Sequence, residues 1–364
     1  MPVGRKELER WSNAQKASSR TSSAMSEMIR GAHANGALNL SNRQLAEIPE
    51  ELLRYNEADA QENWWEVAEL RKLDISHNTL SSLPEALFQP LTELQVLHAG
   101  NNSLSSVPRS IAVCGGALSR LNLAHNKLST LPAWLFEDLP VLTHVSLDHN
   151  LLSSLPASLG SLTNADTISL SHNALTTIPD LDGLPSLRTL ILASNKLSSL
   201  PDSIGALYNL EQLELGHNRL TTLPGTIASL TSLVRLDARE NALSHLPTIP
   251  HSPVLAELLL GFNKLRSLPE SCADAAPQLA TVDLRDNAID SEHSILCLLP
   301  LRSIRALDVR NNELKGLPAE LGLKTTITSL LVDGNPIKSI RRGVLTGTAR
   351  EILEYLRGRL TDGP

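Results

Sequence analysis

An asparagine returns every 22 to 25 residues between positions 78 and 335, inside the pattern L-x-x-L-x-L-x-x-N-x-L. No other feature constrains the fold as strongly, because a unit this short cannot bury its own apolar face and must stack on copies of itself. The ladder runs Asn78, Asn102, Asn126, Asn150, Asn173, Asn195, Asn218, Asn241, Asn263, Asn287, Asn312, Asn335. An earlier degenerate copy, Leu38-Asn-Leu40-Ser-Asn-Arg43, carries Arg43 in the ladder place and makes thirteen. Within a unit such as Leu142-Thr-His-Val145-Ser-Leu147-Asp-His-Asn150, the period of two marks a short strand with its aliphatic residues on one side. Parallel pairing of neighbouring copies at ~4.8 Å merges those residues into one core and leaves the x positions as an exposed face. The expected fold is an α/β repeat solenoid, curved and right-handed, with about 13 parallel strands on its concave face and helical caps at both ends.

The Asn column is structural in this reading. An Asn amide has donors and an acceptor for the backbone groups orphaned where the chain leaves the strand. Leu-Pro pairs such as Leu83-Pro84 and Leu317-Pro318 are expected to stop the strand by fixing φ, before a convex segment of turns or one helical turn. After Asn287 there is no Leu-Pro and the interval is the longest, so that convex segment should differ. With only three Phe, four Trp and three Tyr, the core is expected to be aliphatic.

Terminal repeats need covers, since their Leu columns would otherwise face water. A short helix over 23–33 and the insertion before Asn78 suit the N-terminal end. The segment 346–360 places Ala349, Ile352, Leu353, Leu356 and Leu360 at helical spacing. The expected organisation is a disordered arm at 1–22, an N-terminal cap at 23–70 holding the degenerate copy, repeats at 71–340, and a closing helix with a tail at 341–364.

Several function classes start with little support. A net charge of −7 offers no general attraction for nucleic acid or anionic lipid, and no apolar run reaches the ~18 residues of a membrane span. Cys114, Cys272 and Cys297 form no CxxC and imply neither a disulfide framework nor a thiolate zinc site. A reducing, cytoplasmic setting is expected, with Cys297 a buried structural thiol in its Ile-Leu-Cys-Leu-Leu run. Walker A, GxGxxG, HExxH and GxSxG patterns are missing, so no enzyme and no cofactor are expected. His77, His125, His149, His172 and His217 each precede a ladder Asn. Three of them in consecutive repeats make a zinc site a remote alternative. The same column also holds Asn101, Ser194, Glu240, Phe262, Asp286, Asn311 and Gly334, as a solvated strand end would.

The x positions of the later repeats carry the functional signal. Asp237, Arg239, Glu257, Leu259, Phe262, Asp283, Arg285, Asp308, Arg310 and Asp333 mix apolar residues with arginine, a composition that marks protein interfaces better than charge alone. The plainer reading is a row of cross-strand ion pairs that keep a sheet soluble. Trp64 and Trp65 serve either as an N-terminal plug or as a binding hot spot. The chain is expected to be a monomer whose partner is another protein, with no nucleic acid and no membrane insertion.

These repeats, together with Asn63-Trp64-Trp65-Glu66, Gly334-Asn335-Pro336-Ile337, Ile340-Arg341-Arg342 and Tyr355-Leu356-Arg357, resemble the intracellular leucine-rich repeat proteins of the Leu-Pro type. The resemblance covers residues 25 to 364 and implies a cytoplasmic solenoid that binds other proteins. In that family a second repeat block normally follows this ending. A looser likeness to leucine-rich scaffolds of the Ras pathway implies a small-GTPase or phosphatase-linked signalling scaffold as an alternative. Those scaffolds dock phosphatase through a motif containing Phe, and the first 25 residues here contain none. A structural subunit of a cytoskeletal or ciliary assembly is a further alternative.

Overall fold

The computed structural model describes residues 25–56 and 68–361. The arm at 1–22 and the pair Trp64 and Trp65 lie outside the described residues. The chain divides into two compact units, Met1–His144 and Val145–Pro364. Among the described residues thirteen strands of three residues follow in chain order. The first unit holds β1 (Ala37–Asn39), β2 (Lys72–Asp74), β3 (Val96–His98) and β4 (Arg120–Asn122), and β5 (His144–Ser146) falls at the division. The second holds β6 (Thr167–Ser169), β7 (Thr189–Ile191), β8 (Gln212–Glu214), β9 (Arg235–Asp237), β10 (Glu257–Leu259), β11 (Thr281–Asp283), β12 (Ala306–Asp308) and β13 (Ser329–Leu331).

Within each unit the strands are parallel and their register sets apolar centre beside apolar centre. Leu38, Leu73, Leu97 and Leu121 line up in the first unit. Ile168, Leu190, Leu213, Leu236, Leu258, Val282, Leu307 and Leu330 do so in the second. All of these side chains are buried. At roughly 1.5–3 kcal/mol for each buried aliphatic side chain, the column specifies the register, because a slip of one residue would turn it to solvent.

Each strand ends in a turn built on left-handed backbone. The residue before the ladder Asn has φ between +51° and +57° in His77, Asn101, His125, His149, His172, Ser194, His217, Glu240, Phe262, Asp286 and Asn311. Gly334 takes the place at +74° in the last repeat. Asn, Asp, His and Gly enter this region most readily. The left-handed backbone favours the His, Asn, Asp and Gly found at most places of the column, with Ser194, Glu240 and Phe262 as exceptions. A side chain at Gly334 would run into that of Asn311.

The ladder Asn then closes the turn. Asn195 Nδ2 donates to the carbonyls of Leu170, Leu192 and Ala193 at 2.9, 3.0 and 3.3 Å, and its Oδ1 accepts from Leu175 N at 3.1 Å. Asn218, Asn241, Asn263, Asn287 and Asn312 repeat the arrangement. In the degenerate copy the neighbouring Asn78 compensates, its Oδ1 accepting from both Arg43 N and Leu45 N at 3.0 Å.

The Leu-Pro pairs do not stop the strands, which end well before them, as at Glu214 against Pro224. They open the opposite side of the repeat instead. Pro84, Pro108, Pro156, Pro201, Pro224 and Pro318 each hold extended backbone immediately before a 3-10 turn, with φ from −71° to −62°. After Asn287, where the Pro is missing, a single α-helical turn forms (α4, His293–Leu296), as one also does after Pro269 in the preceding repeat (α3, Cys272–Ala275). The core is not purely aliphatic. Phe88, Phe136 and Tyr55 are among its largest fully buried side chains.

A helix over 25–35 (α1) precedes the first strand and buries Met25, Ile29 and Ala32. Gly36 ends it at φ +67°, where a Cβ would lie 2.6 Å from the Glu69 carbonyl oxygen. A short turn, α2 (Glu50–Leu53), leads to Tyr55, whose hydroxyl donates to the Ala68 carbonyl at 3.0 Å. Burial first, and the charge of Glu69 second, push this phenol up to about 12. A raised acid pKa means that the fold favours the neutral phenol. Its contribution is complete below pH 10 and is lost as pH rises to about 12. Tyr55→Phe is expected to lower stability near pH 8 by about 1 kcal/mol and to flatten the decline over that alkaline window, read by thermal melts across pH.

In the second unit a short turn, α5 (Arg342–Leu345), precedes the closing helix α6 (Ala349–Thr361). Thr348 and Glu351 form a capping box. Thr348 N donates to Glu351 Oε2 at 2.8 Å and Glu351 N to Thr348 Oγ1 at 3.3 Å. Ile352, Leu353 and Leu356 are buried as their spacing predicted, whereas Leu360 is exposed. Arg357 Nε donates to the Gly322 carbonyl at 3.0 Å, and a side chain at Gly322 would collide with the α6 backbone.

Candidate protein-binding face

In the second unit, the first and third residues of each strand point away from the leucine column. Three Asp-x-Arg pairs recur there. Arg239 closes as a fork on Asp237, with Nε to Oδ1 at 3.0 Å and Nη2 to Oδ2 at 2.5 Å. Arg310 does the same on Asp308, at 3.0 and 2.6 Å. Each Asp also accepts its arginine's backbone N–H at 3.1 Å. These hydrogen bonds raise the pKa of both guanidinium groups. The pairs thus lie within single repeats and not across strands. The cross-strand role falls to Arg235, which pairs with Glu257 and reaches Asp237 at 3.5 Å and Glu214 at 3.8 Å.

Arg285 differs. Its Nε stands 3.4 Å from Asp283 Oδ2 without a hydrogen bond, and its guanidinium lies over the Phe262 ring, 5.1 Å from the centroid. Phe262 sits on the left-handed turn, uncommon for an aromatic residue, and remains 43% exposed. Burial raises the pKa of the Asp283 carboxyl, against the Arg285 N–H bond and positive charge, which lower it.

Three positions read as exposed are in fact buried. Leu259 retains 8% of its surface, Asp237 6% and Asp283 9%. The register gives the reason, since Leu259 is the in-register neighbour of Asp237 on one side and Asp283 on the other. Leu259 therefore has little area left to give a partner, and the accessible apolar groups are Phe262 and Leu331. Glu257 is partly exposed and Asp333 exposed. A polar hollow of about 320 Å³ opens on this face, with Glu214, Asp237, Arg239, Glu240 and Arg285 in its lining.

The histidines do not converge on a point. His149 and His172 stack ring on ring, 4.1 Å apart and within 9° of parallel, and His217 Nδ1 faces Glu240 Oε2 at 2.6 Å. Among the described residues no group of three or more His, Cys, Asp or Glu could hold a metal ion. No described helix is long and apolar enough to cross a membrane. Asp148, which the sequence did not mark, gathers hydroxyls in the second unit. Its Oδ2 accepts from Ser146 at 2.9 Å, and its Oδ1 from Ser169 at 2.5 Å and Ser171 at 2.7 Å. A carboxylate among serines at alternate strand positions is the signal that could have found it.

The family model described as leucine rich repeat matches residues 68–128, 116–175, 140–197 and 185–243. Residues 68–243 thus carry leucine-rich repeats, and within each unit the strands stack in parallel as the spacing predicted. Its fold is similar to that of a leucine-rich repeat protein of Leptospira interrogans, at 26% identity and TM-score 0.60 over 85% of this chain and 94% of that one. It is also similar to the plant peptide hormone receptor RGFR1 in complex with RGF2, at 29% identity and TM-score 0.64 over 79% of this chain and 45% of the receptor. A third similar structure is the Arabidopsis receptor kinase HAESA in complex with the peptide hormone IDA and the co-receptor SERK1. It shares 27% identity at TM-score 0.62, over 79% of this chain and 48% of that one. The chain spans about half the length of these plant receptors.

Proposed function

We propose that the chain is a non-catalytic scaffold that binds another protein on the strand face of its last repeats. The observation that carries this reading is the arrangement around Phe262. An exposed aromatic ring lies under a guanidinium, beside arginines already held by their own aspartates. Such a surface binds without first ordering its side chains, which lowers the entropic cost of association. The plant receptors of similar fold were solved with peptide or protein partners, which supports a binding role for the repeat face.

The contact residues in this reading are Arg239, Glu257, Phe262, Arg285, Asp308, Arg310 and Asp333, with the buried Asp237, Leu259 and Asp283 as underlying support. The chain works as a cytoplasmic monomer, and the three free thiols fit that compartment. Within the Leu-Pro type we read it as similar to leucine-rich repeat-containing protein 40, on the Ile340-Arg341-Arg342 and Tyr355-Leu356-Arg357 ending. Converting Arg239, Arg285 and Arg310 together to Glu should weaken partner capture at least tenfold and reduce its salt dependence. Unchanged capture by the triple variant would assign the interface to another surface.

A further inference from the structure

Cys272 and Cys297 are separate in sequence but meet in the fold. Cys272 opens α3 (Cys272–Ala275), fifteen residues after Glu257, and Cys297 follows α4, sixteen residues after Thr281. Glu257 and Thr281 are in-register partners on β10 and β11, so the two cysteines occupy near-equivalent places on adjacent repeats, opposite the strands. Adjacent repeats are ~4.8 Å apart at their strands, and a disulfide spans Cα separations of roughly 4.4–6.8 Å. Each thiol is the largest influence on the titration of the other. Cys272 is fully buried, while Cys297, expected from sequence to be the buried structural thiol, is the least buried of the three and faces the Ser294 carbonyl at 4.0 Å.

The pair is chemically asymmetric. Cys297 is partly exposed and within reach of a small oxidant, whereas Cys272 is fully buried. The neighbouring Cys272 lowers the pKa of Cys297, against burial, while Cys297 and burial hold Cys272 as a thiol. Cys297 is therefore the more reactive sulfur, with a protonated thiol beside it.

We propose that Cys272 and Cys297 are a peroxide-responsive dithiol that closes to an intrachain disulfide between neighbouring repeats. The Cys297 thiolate attacks one oxygen of a hydroperoxide such as hydrogen peroxide. The O–O bond breaks, leaving a sulfenic acid on Cys297, and the other oxygen departs as water after taking a proton. Cys272 sulfur then attacks the Cys297 sulfur, the S–O bond breaks, and the hydroxyl leaves with the Cys272 proton as a second water. Two thiols and one peroxide become one disulfide and two waters. The bond would tie together the repeats that carry Phe262 and Arg285, restricting their local opening. Cys114 provides an internal control. It lies in the first unit, donates to the Leu91 carbonyl at 3.1 Å, and burial pushes its thiol up to about 12.

The full chain is treated with stepwise hydrogen peroxide, denatured under non-reducing conditions, and examined by thiol titration and peptide mapping. The expected result is a fall from three thiols to one, a mapped Cys272–Cys297 link within one chain, and recovery of all three with dithiothreitol. Cys272→Ser should instead accumulate a Cys297 sulfenic acid that dimedone traps. Three surviving thiols, over-oxidation of Cys297 with Cys272 still free, or a link between chains would each overturn the proposal. The wild-type map decides this even if a variant folds poorly.

Discussion

Phe136→Ala should cost about 3–5 kcal/mol, the largest effect expected of any single substitution in the first unit. The ring is fully buried, on the side of the repeat opposite the strands. At the matching place of successive repeats stand Phe88, Ala112 and Phe136, each directly after a buried Leu87, Ile111 or Leu135. Large and small residues thus alternate, and no neighbour is large enough to fill the space that Phe136 would leave. Urea or thermal unfolding reads the loss. A change below about 1 kcal/mol would mean that this layer collapses around the void.

Asn173→Ala is the second large effect, expected at about 1–3 kcal/mol although little apolar surface is lost. Asn173 Nδ2 donates to the carbonyls of Leu147, Leu170 and Ser171 at 3.0, 3.1 and 3.1 Å, and Oδ1 accepts from Leu152 N at 3.1 Å. Alanine would leave these part-buried backbone groups without their protein partners. Asn173→Asp separates the two halves of the effect, since it retains the acceptor for Leu152 N and removes the donors. It should fall between wild type and alanine at neutral pH. Hydrogen exchange should show lost protection confined to the adjoining repeats, because each repeat contacts only its neighbours. Unchanged stability in both variants would remove the structural role assigned to this residue.

The repeat period, the strand count and the buried face of the closing helix were legible in sequence because each rests on spacing alone. Composition misled where position mattered. Few aromatic residues suggested an aliphatic core, yet Phe88, Phe136 and Tyr55 are inside it. The left-handed turn was also legible in principle, since His, Asn, Asp and Gly fill most of the column before the ladder Asn, but those residues equally suit a solvated strand end. The face itself was harder to read. Alternation places Leu259 on the outward side, while its burial depends on the flanking Asp237 and Asp283 supplied by other repeats. The fork of Arg239 on Asp237, in contrast to the stacking of Arg285 on Phe262, depends on rotamers that no spacing encodes.

Site-specific photo-crosslinking tests the proposed binding face most directly. A benzophenone amino acid placed at Phe262, exposed on the strand face, is compared with one at Leu323, which is 59% exposed on the 3-10 turn Ala319–Leu323. Irradiated in the protein's own cells, the Phe262 probe should yield a discrete protein adduct that the triple Arg-to-Glu change abolishes, and the Leu323 probe should yield none. A discrete adduct at Leu323 with none at Phe262 would contradict the account.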